Sequence, residues 1–102
     1  MWSEAADLDL QAISARIAQA DLDLALLTTD RIDEAVSRLS SFPMRGRVVP
    51  ELLDHGITVH REIVLAPWRI VYRVLPTRIL VLGLVDGRRN VEDLLLQRLV
   101  ER

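Results

Sequence analysis

Residues 61–89 read Arg-Glu-Ile-Val-Leu-Ala-Pro-Trp-Arg-Ile-Val-Tyr-Arg-Val, then Leu-Pro-Thr-Arg, then Ile-Leu-Val-Leu-Gly-Leu-Val-Asp-Gly-Arg-Arg. Three strand-length apolar runs are separated by short turns, which predicts an antiparallel meander. Arginines recur where a buried sheet does not want them: Arg61, Arg69 and Arg73 interrupt the strands, and Arg88 and Arg89 follow the last one. Guanidinium groups are seldom fully buried without a partner. One face or end of this sheet is therefore held for something acidic.

Alternation gives each run its faces. Ile57, Val59, Ile63 and Leu65 point one way and Thr58, His60 and Glu62 the other, with Arg61 a misfit on the apolar side. Pro67 bends the chain. Trp68, Ile70, Tyr72 and Val74 then share one face, and Arg69, Val71 and Arg73 the other. Residues 79–85 are apolar without interruption, as expected of a central strand covered on both faces.

Upstream of the meander the period is helical. Ser3 is placed to cap a helix whose apolar positions Ala6, Leu10, Ile13 and Ile17 form one stripe, with Glu4 and Asp7 favourable in its first turns. A break at residues 20–23 supplies a second cap. Leu24, Leu27, Ile32, Ala35, Val36 and Leu39 form a second stripe, ended by Ser40-Ser41-Phe42-Pro43. So short a break predicts an antiparallel helical hairpin. Residues 44–56 read as a connector with a short extended piece and a turn, and Asn90 caps a last helix carrying Val91, Leu95 and Leu99. The fold class is α+β: an N-terminal helical hairpin packed on a small three-stranded antiparallel sheet, with a C-terminal helix. Residues 1–102 are expected to form one domain.

Composition narrows the chemistry. The chain has 102 residues, half of them hydrophobic and 27% charged, a globular balance. With no cysteine, neither disulfides nor thiolate metal sites are available. The two histidines, His55 and His60, lack the spacing and partners of a metal site, so no metal and no cofactor is expected. The serines sit in the helical region, away from any strained elbow, and the isolated glycines form no phosphate-cradling loop. There is no membrane-length apolar run and no basic signal-peptide start, so a soluble cytoplasmic protein is expected. All 13 basic residues are arginine, which either base composition or a functional preference would produce. The acids crowd into residues 4–34, whereas arginines dominate from 45 to 89. A net charge of −2 and a pI near 5.6 argue against a general RNA binder or direct DNA binding.

The sheet's own polar groups set two alternatives. Metal-free RNA cleavage needs a base, an acid and cations around the phosphate. Arg61, Arg69 and Arg73 would supply cations, and Tyr72 or Glu62 the proton transfer, with His60 the remaining polar group of the sheet. Yet Tyr72 lies on the face of Trp68, Ile70 and Val74, which reads as a core-facing tyrosine with its hydroxyl at the margin. For Arg61 and Arg69, an internal ion pair with Glu62, Glu51 or Asp86 stands beside a partner-binding role. Arg88-Arg89 is either a solvated pair or a contact site.

The segments Phe42-Pro43, Gly46-Arg47-Val48-Val49-Pro50-Glu51-Leu52, Arg61-Glu62-Ile63, Pro67–Val74, Ile79–Leu82 and Gly87-Arg88-Arg89, in this order after two helices, resemble the RelE/ParE superfamily of type II toxin–antitoxin toxins. The ParE branch is the most similar, and the likeness runs from Ala5 to Leu96. One departure is that the family opens with a β-strand, for which only Met1-Trp2 remains; either that edge strand is vestigial or the start is assigned too late.

The resemblance implies a small bacterial toxin that inhibits growth or stabilises plasmids. It would be neutralised by a cognate antitoxin, typically a DNA-binding dimer with a flexible tail. Two mechanisms are implied. RelE-like toxins are ribosome-dependent messenger-RNA endoribonucleases with a tyrosine or histidine near the C-terminus, which would fall around residues 86–89, where neither stands. They are also strongly basic, unlike this chain. ParE-like toxins poison DNA gyrase without catalytic residues of their own. Both contrasts favour a non-enzymatic gyrase inhibitor. Arg61, Arg69, Arg73, Arg88 and Arg89 are its candidate target-binding or toxicity residues. Leu8, Leu22 and Leu26, with an unpaired sheet edge, are the candidate antitoxin surface.

Overall fold

The computed structural model describes residues 1–100. A helical hairpin covers one face of an antiparallel four-stranded sheet, and two shorter helices cover the other. Helix α1 (Glu4–Ala18) starts where the Ser3 hydroxyl accepts the Ala6 N–H at 3.1 Å. Helix α2 (Leu22–Arg38) starts at Asp21, whose carboxylate accepts the Leu24 N–H at 3.0 Å. Each side chain satisfies one of the free N–H groups of a helix start. Strand β1 (Arg47–Val48), helix α3 (Pro50–Leu53), strands β2 (His60–Leu65), β3 (Trp68–Val74) and β4 (Ile79–Asp86), and helix α4 (Val91–Val100) follow. Pro50 opens α3, where its missing N–H costs nothing. Gly56, at φ 76°, turns the chain back toward β2. Asn90 caps α4 by accepting the Asp93 N–H at 3.1 Å.

The sheet has two cores. Ala6, Ile13, Ile32, Ile70, Val81 and Leu84 pack between the hairpin and one face. Val49, Leu52, Val71, Val85, Val91 and Leu95 pack between α3, α4 and the other. The strand order is β1-β2-β3-β4, so the expected meander is joined by a fourth member, β1. The connector therefore holds a strand and a helical turn where an extended piece and a turn were expected.

Strand β4 departs from expectation in position. It is covered on both faces, as its apolar run predicts, but it ends the strand order instead of lying at the centre. Its outer edge is closed by the N-terminus. The Met1 ammonium donates to the Ile79 carbonyl at 2.9 Å, the Val81 N–H to Met1 at 2.8 Å, and the Ser3 N–H to Val81 at 2.9 Å. Trp2 and Val81 form a single parallel bridge there. Farther along, Asp9 accepts the Leu84 N–H at 3.0 Å. A bulge makes this geometry possible. Val71 pairs with Gly83 and Tyr72 with Val81, which leaves Leu82 without a partner on β3. Val81 and Leu84, which a regular strand would point to opposite faces, thereby share one core.

Two stripes are corrected. On α2 the buried positions are Ala25, Ile32 and Leu39, whereas Leu24 and Leu27 are exposed. A small alanine takes the inward position, and the leucines are rotated off it. On β2, Val59 is exposed and His60 and Glu62 are buried, because the second core covers the face expected to be polar.

Candidate functional site

Cross-strand pairs share a face of a sheet, and the register disperses the five candidate arginines. Arg61 pairs with Tyr72 and so faces the hairpin. Arg69 pairs with Val64, and Arg73 with His60, on the opposite face. Arg88 and Arg89 lie beyond the end of β4. No single cationic surface unites them.

Arg69 is inside, 8% exposed, where a partner would have to displace two carboxylates to reach it. Its Nε and Nη2 donate to Glu62 at 2.7 and 2.9 Å, and its Nη1 and Nη2 to Glu51 at 2.7 and 2.6 Å. Arg47 Nε adds a bond to Glu62 at 2.7 Å. The chain of alternating charges Arg47–Glu62–Arg69–Glu51 ties β1, β2, β3 and α3 together. Hydrogen bonding to Arg69 holds the Glu51 carboxyl below its ordinary value, against an opposing effect of burial. Bonds from Glu51 and then Glu62 raise Arg69 further above its already high value.

Arg61 also serves the fold, since its Nη1 donates to the Gly46 carbonyl at 2.7 Å. Gly46 is held by its neighbours. A Cβ there would lie 2.4 Å from the Glu62 carbonyl oxygen and 2.7 Å from the Tyr72 hydroxyl, so no other residue fits. The Tyr72 hydroxyl accepts the Gly46 N–H at 2.9 Å and donates to the Pro43 carbonyl at 2.8 Å. Tyr72 is thus a core tyrosine that latches the connector, with its hydroxyl fully engaged. Both proton-transfer candidates are withdrawn from solvent, as is the sheet's histidine: Tyr72 is 0%, Glu62 1% and His60 3% exposed.

Arg73, Arg88 and Arg89 remain within reach of a partner. Arg73 is half-buried and makes no ion pair among the described residues. Arg88 closes on Asp86 with Nε–Oδ1 2.9 Å and Nη2–Oδ2 2.7 Å. Side-chain and backbone hydrogen bonds from Arg88 pull the Asp86 carboxyl down to about 2. Arg89 is exposed, and its backbone N–H donates to Asp86.

Leu8, Leu22 and Leu26 are exposed, yet they do not form one cluster. Leu22 and Leu26 stack on one face at the start of α2. Leu8 lies roughly 15 Å along the hairpin from that end. Leu24 and Leu27, expected in the inward stripe, are exposed on the flanks of this pair, while Ile32, Ala35, Val36 and Leu39 of that stripe pack inward as expected.

The open sheet edge is found on the side opposite to the one expected. Strand β1 pairs with β2 only at Arg61 and Glu62, so residues 63–65, paired with β3 on one side, have no described strand on the other. A groove of about 340 Å³ runs there between β2 and α2. Ile63, Val64 and Leu65 form its floor, and Arg31, Arg38 and Arg45 its rim. Arg38 is paired with Glu34, whereas Arg31 and Arg45 make no ion pair among the described residues. Among the described residues no group of three or more His, Cys, Asp or Glu side chains could hold a metal ion, and no helix is long and apolar enough to cross a membrane.

Known proteins share this arrangement. The solved structure described as the chromosomal ParDE toxin–antitoxin system from P. aeruginosa superposes with a TM-score of 0.67. It covers 83% of this chain and 90% of that one at 23% identity, a likeness of fold. Toxin ParE3 of Caulobacter vibrioides is 34% identical over 62 residues, which are 61% of this chain. That match spans 58% of the length of the Caulobacter protein. The family model described as the ParE toxin of the type II toxin–antitoxin system parDE matches residues 1–91. With a matching fold and a match over nearly its whole length, the chain belongs to the ParE toxin family of type II toxin–antitoxin systems.

Proposed function

We propose that the protein is a toxin that acts in the cytoplasm by binding and inhibiting DNA gyrase, and that a cognate antitoxin neutralises it. One observation carries the choice against a ribosome-dependent ribonuclease. Both proton-transfer candidates of the sheet, and its histidine, are buried and built into the fold: Glu62 in a double arginine clamp, Tyr72 in the connector latch, His60 beneath the second core. General acid–base catalysis needs such a group within hydrogen-bond reach of the substrate. A binding inhibitor needs none. The accessible arginines, half-buried Arg73 and exposed Arg88 and Arg89, then serve as contacts, with Arg61 and Arg69 supporting the surfaces that carry them.

The exposed leucines of the hairpin and the open half of β2 suit an antitoxin tail that folds on binding. Leu22 and Leu26 would be covered by an apolar helix face, Leu8 by a separate part of the tail, and residues 63–65 would accept an added strand. Purified toxin assayed with gyrase on supercoiled plasmid, beside toxin with programmed ribosomes, tests the mechanism. Gyrase inhibition with intact messenger RNA is expected. Cleaved messenger RNA with an unperturbed gyrase reaction would replace this reading with the ribonuclease one.

A further inference from the structure

Arg16, in the last turn of α1, and Arg89, ahead of α4, line the same open cleft at one end of the sheet. The cleft measures about 210 Å³, below the roughly 300–1,000 Å³ of small-molecule sites and suited to one or two side chains. Its charges are unevenly matched. Two carboxylates line it, and each is already taken by its own guanidinium. Asp9 holds Arg98 at 2.6 and 3.2 Å, and Asp86 holds Arg88 at 2.9 and 2.7 Å. Arg16 and Arg89 are left without an ion-pair partner among the described residues. Between them the wall is apolar, formed by Ile13, Trp68, Leu84 and Leu94.

We propose that this cleft is a receptor for an acidic side chain carried on an apolar-flanked segment of the protein target. The inference rests on the proposed function and deepens it, adding Arg16 to the contact residues and assigning Arg89 a ligand chemistry. A carboxylate between Arg16 and Arg89 would be held by charge-assisted bonds, and its apolar neighbour would cover Trp68 and Leu94. A nucleic-acid strand suits the site less well. Its successive phosphates would pass the resident carboxylates Asp9 and Asp86 on a chain whose net charge is −2. Neither candidate arginine makes an ion pair among the described residues, so their reversal separates binding from folding.

The test compares the full chain with Arg16→Glu, Arg89→Glu, the double variant, and Arg78→Glu as a reversal in the exposed β3–β4 turn. Gyrase-subunit binding, gyrase inhibition, plasmid-DNA binding and thermal unfolding are measured for each. The double reversal is expected to weaken gyrase binding at least tenfold with an unchanged melting curve, while Arg78→Glu behaves as the wild type. Arg16→Lys with Arg89→Lys should recover part of the affinity. Undiminished gyrase binding by the double reversal would overturn the cleft while leaving gyrase inhibition standing. A loss confined to plasmid DNA would overturn it in favour of a phosphate contact. A wild-type chain without effect on gyrase would remove the proposed function, and the cleft's role with it.

Discussion

Asp9 on α1 and Arg98 on α4 are 89 residues apart in sequence and meet around the outer edge of β4, with Nη1 2.6 Å from Oδ2. The same Asp9 oxygen accepts the Leu84 N–H at 3.0 Å, and Arg98 Nη1 also reaches the Leu82 carbonyl at 3.3 Å. Gly83 leaves the space, since a Cβ there would lie 2.6 Å from Arg98 Nη1. The pair joins helices on opposite faces of the sheet and satisfies the edge beside the bulge. Asp9→Ala should therefore destabilise the fold by about 1–3 kcal/mol, the cost of removing the acceptor of the partly buried Leu84 N–H and of the Arg98 guanidinium. Urea unfolding measures it, and a shift below about 0.5 kcal/mol would show that the clasp is solvated instead.

Arg69→Ala should cost more. It leaves the fully buried Glu62 with one of its two guanidinium partners, and removal of one side of a buried ion pair costs about 3–5 kcal/mol. Loss of toxicity in this variant should accompany loss of folded protein, read by circular dichroism on the same sample. A well-folded but non-toxic Arg69→Ala protein would reassign Arg69 to target contact.

Tyr72→Phe removes the donor to Pro43 and the acceptor for Gly46, and is expected to lower stability by about 1–3 kcal/mol. Its gyrase inhibition, assayed well below its melting temperature, should equal that of the wild type. A loss of inhibition of about 10²–10⁴-fold by a folded variant is what a catalytic hydroxyl would produce.

The acid limb of stability should carry the signature of Glu51. Its folded-state carboxyl is held below the ordinary 4.5 by Arg69, so its contribution is complete above that value and is lost as pH falls through the lower, folded-state value. Wild type minus Glu51→Gln should thus give a constant stability difference near neutrality that shrinks below pH 4.5. A difference that grows on acidification would contradict the sign.

Leu22→Ser with Leu26→Ser should leave stability within about 0.5 kcal/mol, because both side chains are exposed. Antitoxin affinity, by calorimetry, should fall at least about tenfold, as 1.4 kcal/mol of lost apolar contact requires. Unchanged affinity would move the antitoxin off the start of α2.

Periodicity made most of the architecture legible. Both helix caps of the hairpin, the three long strands, the inward stripe of α1 and the core setting of Tyr72 follow from spacing and residue type. What escaped was set by partners distant in sequence. Nothing local to residues 44–56 announces that Arg47–Val48 will lie against Arg61 and Glu62. The apolar run of β4 reads as central because burial on two faces looks the same whether or not another full strand lies alongside. Arg69 was legible as an ion pair with Glu62 or Glu51, yet that both would share it depended on α3 folding over the sheet. Only the first turns of α2 were misread, because leucines outweigh Ala25 in any apolar count, although alanine is the residue that lets two elements approach closely.

The unpartnered Leu82 means that β4 is read in two frames. Up to Val81 its odd-numbered residues belong beneath the hairpin, and beyond Gly83 its even-numbered ones do. Substitutions along this strand are therefore local events, but most changes of length are not. Losing one residue between Val81 and Leu84 would remove the bulge and leave both flanking stretches in their present pairing, whereas losing one elsewhere in the strand would exchange the side chains offered to the two cores beyond that point. Within this fold, residues 79–86 should tolerate the loss of the unpaired Leu82 better than the loss of any other residue.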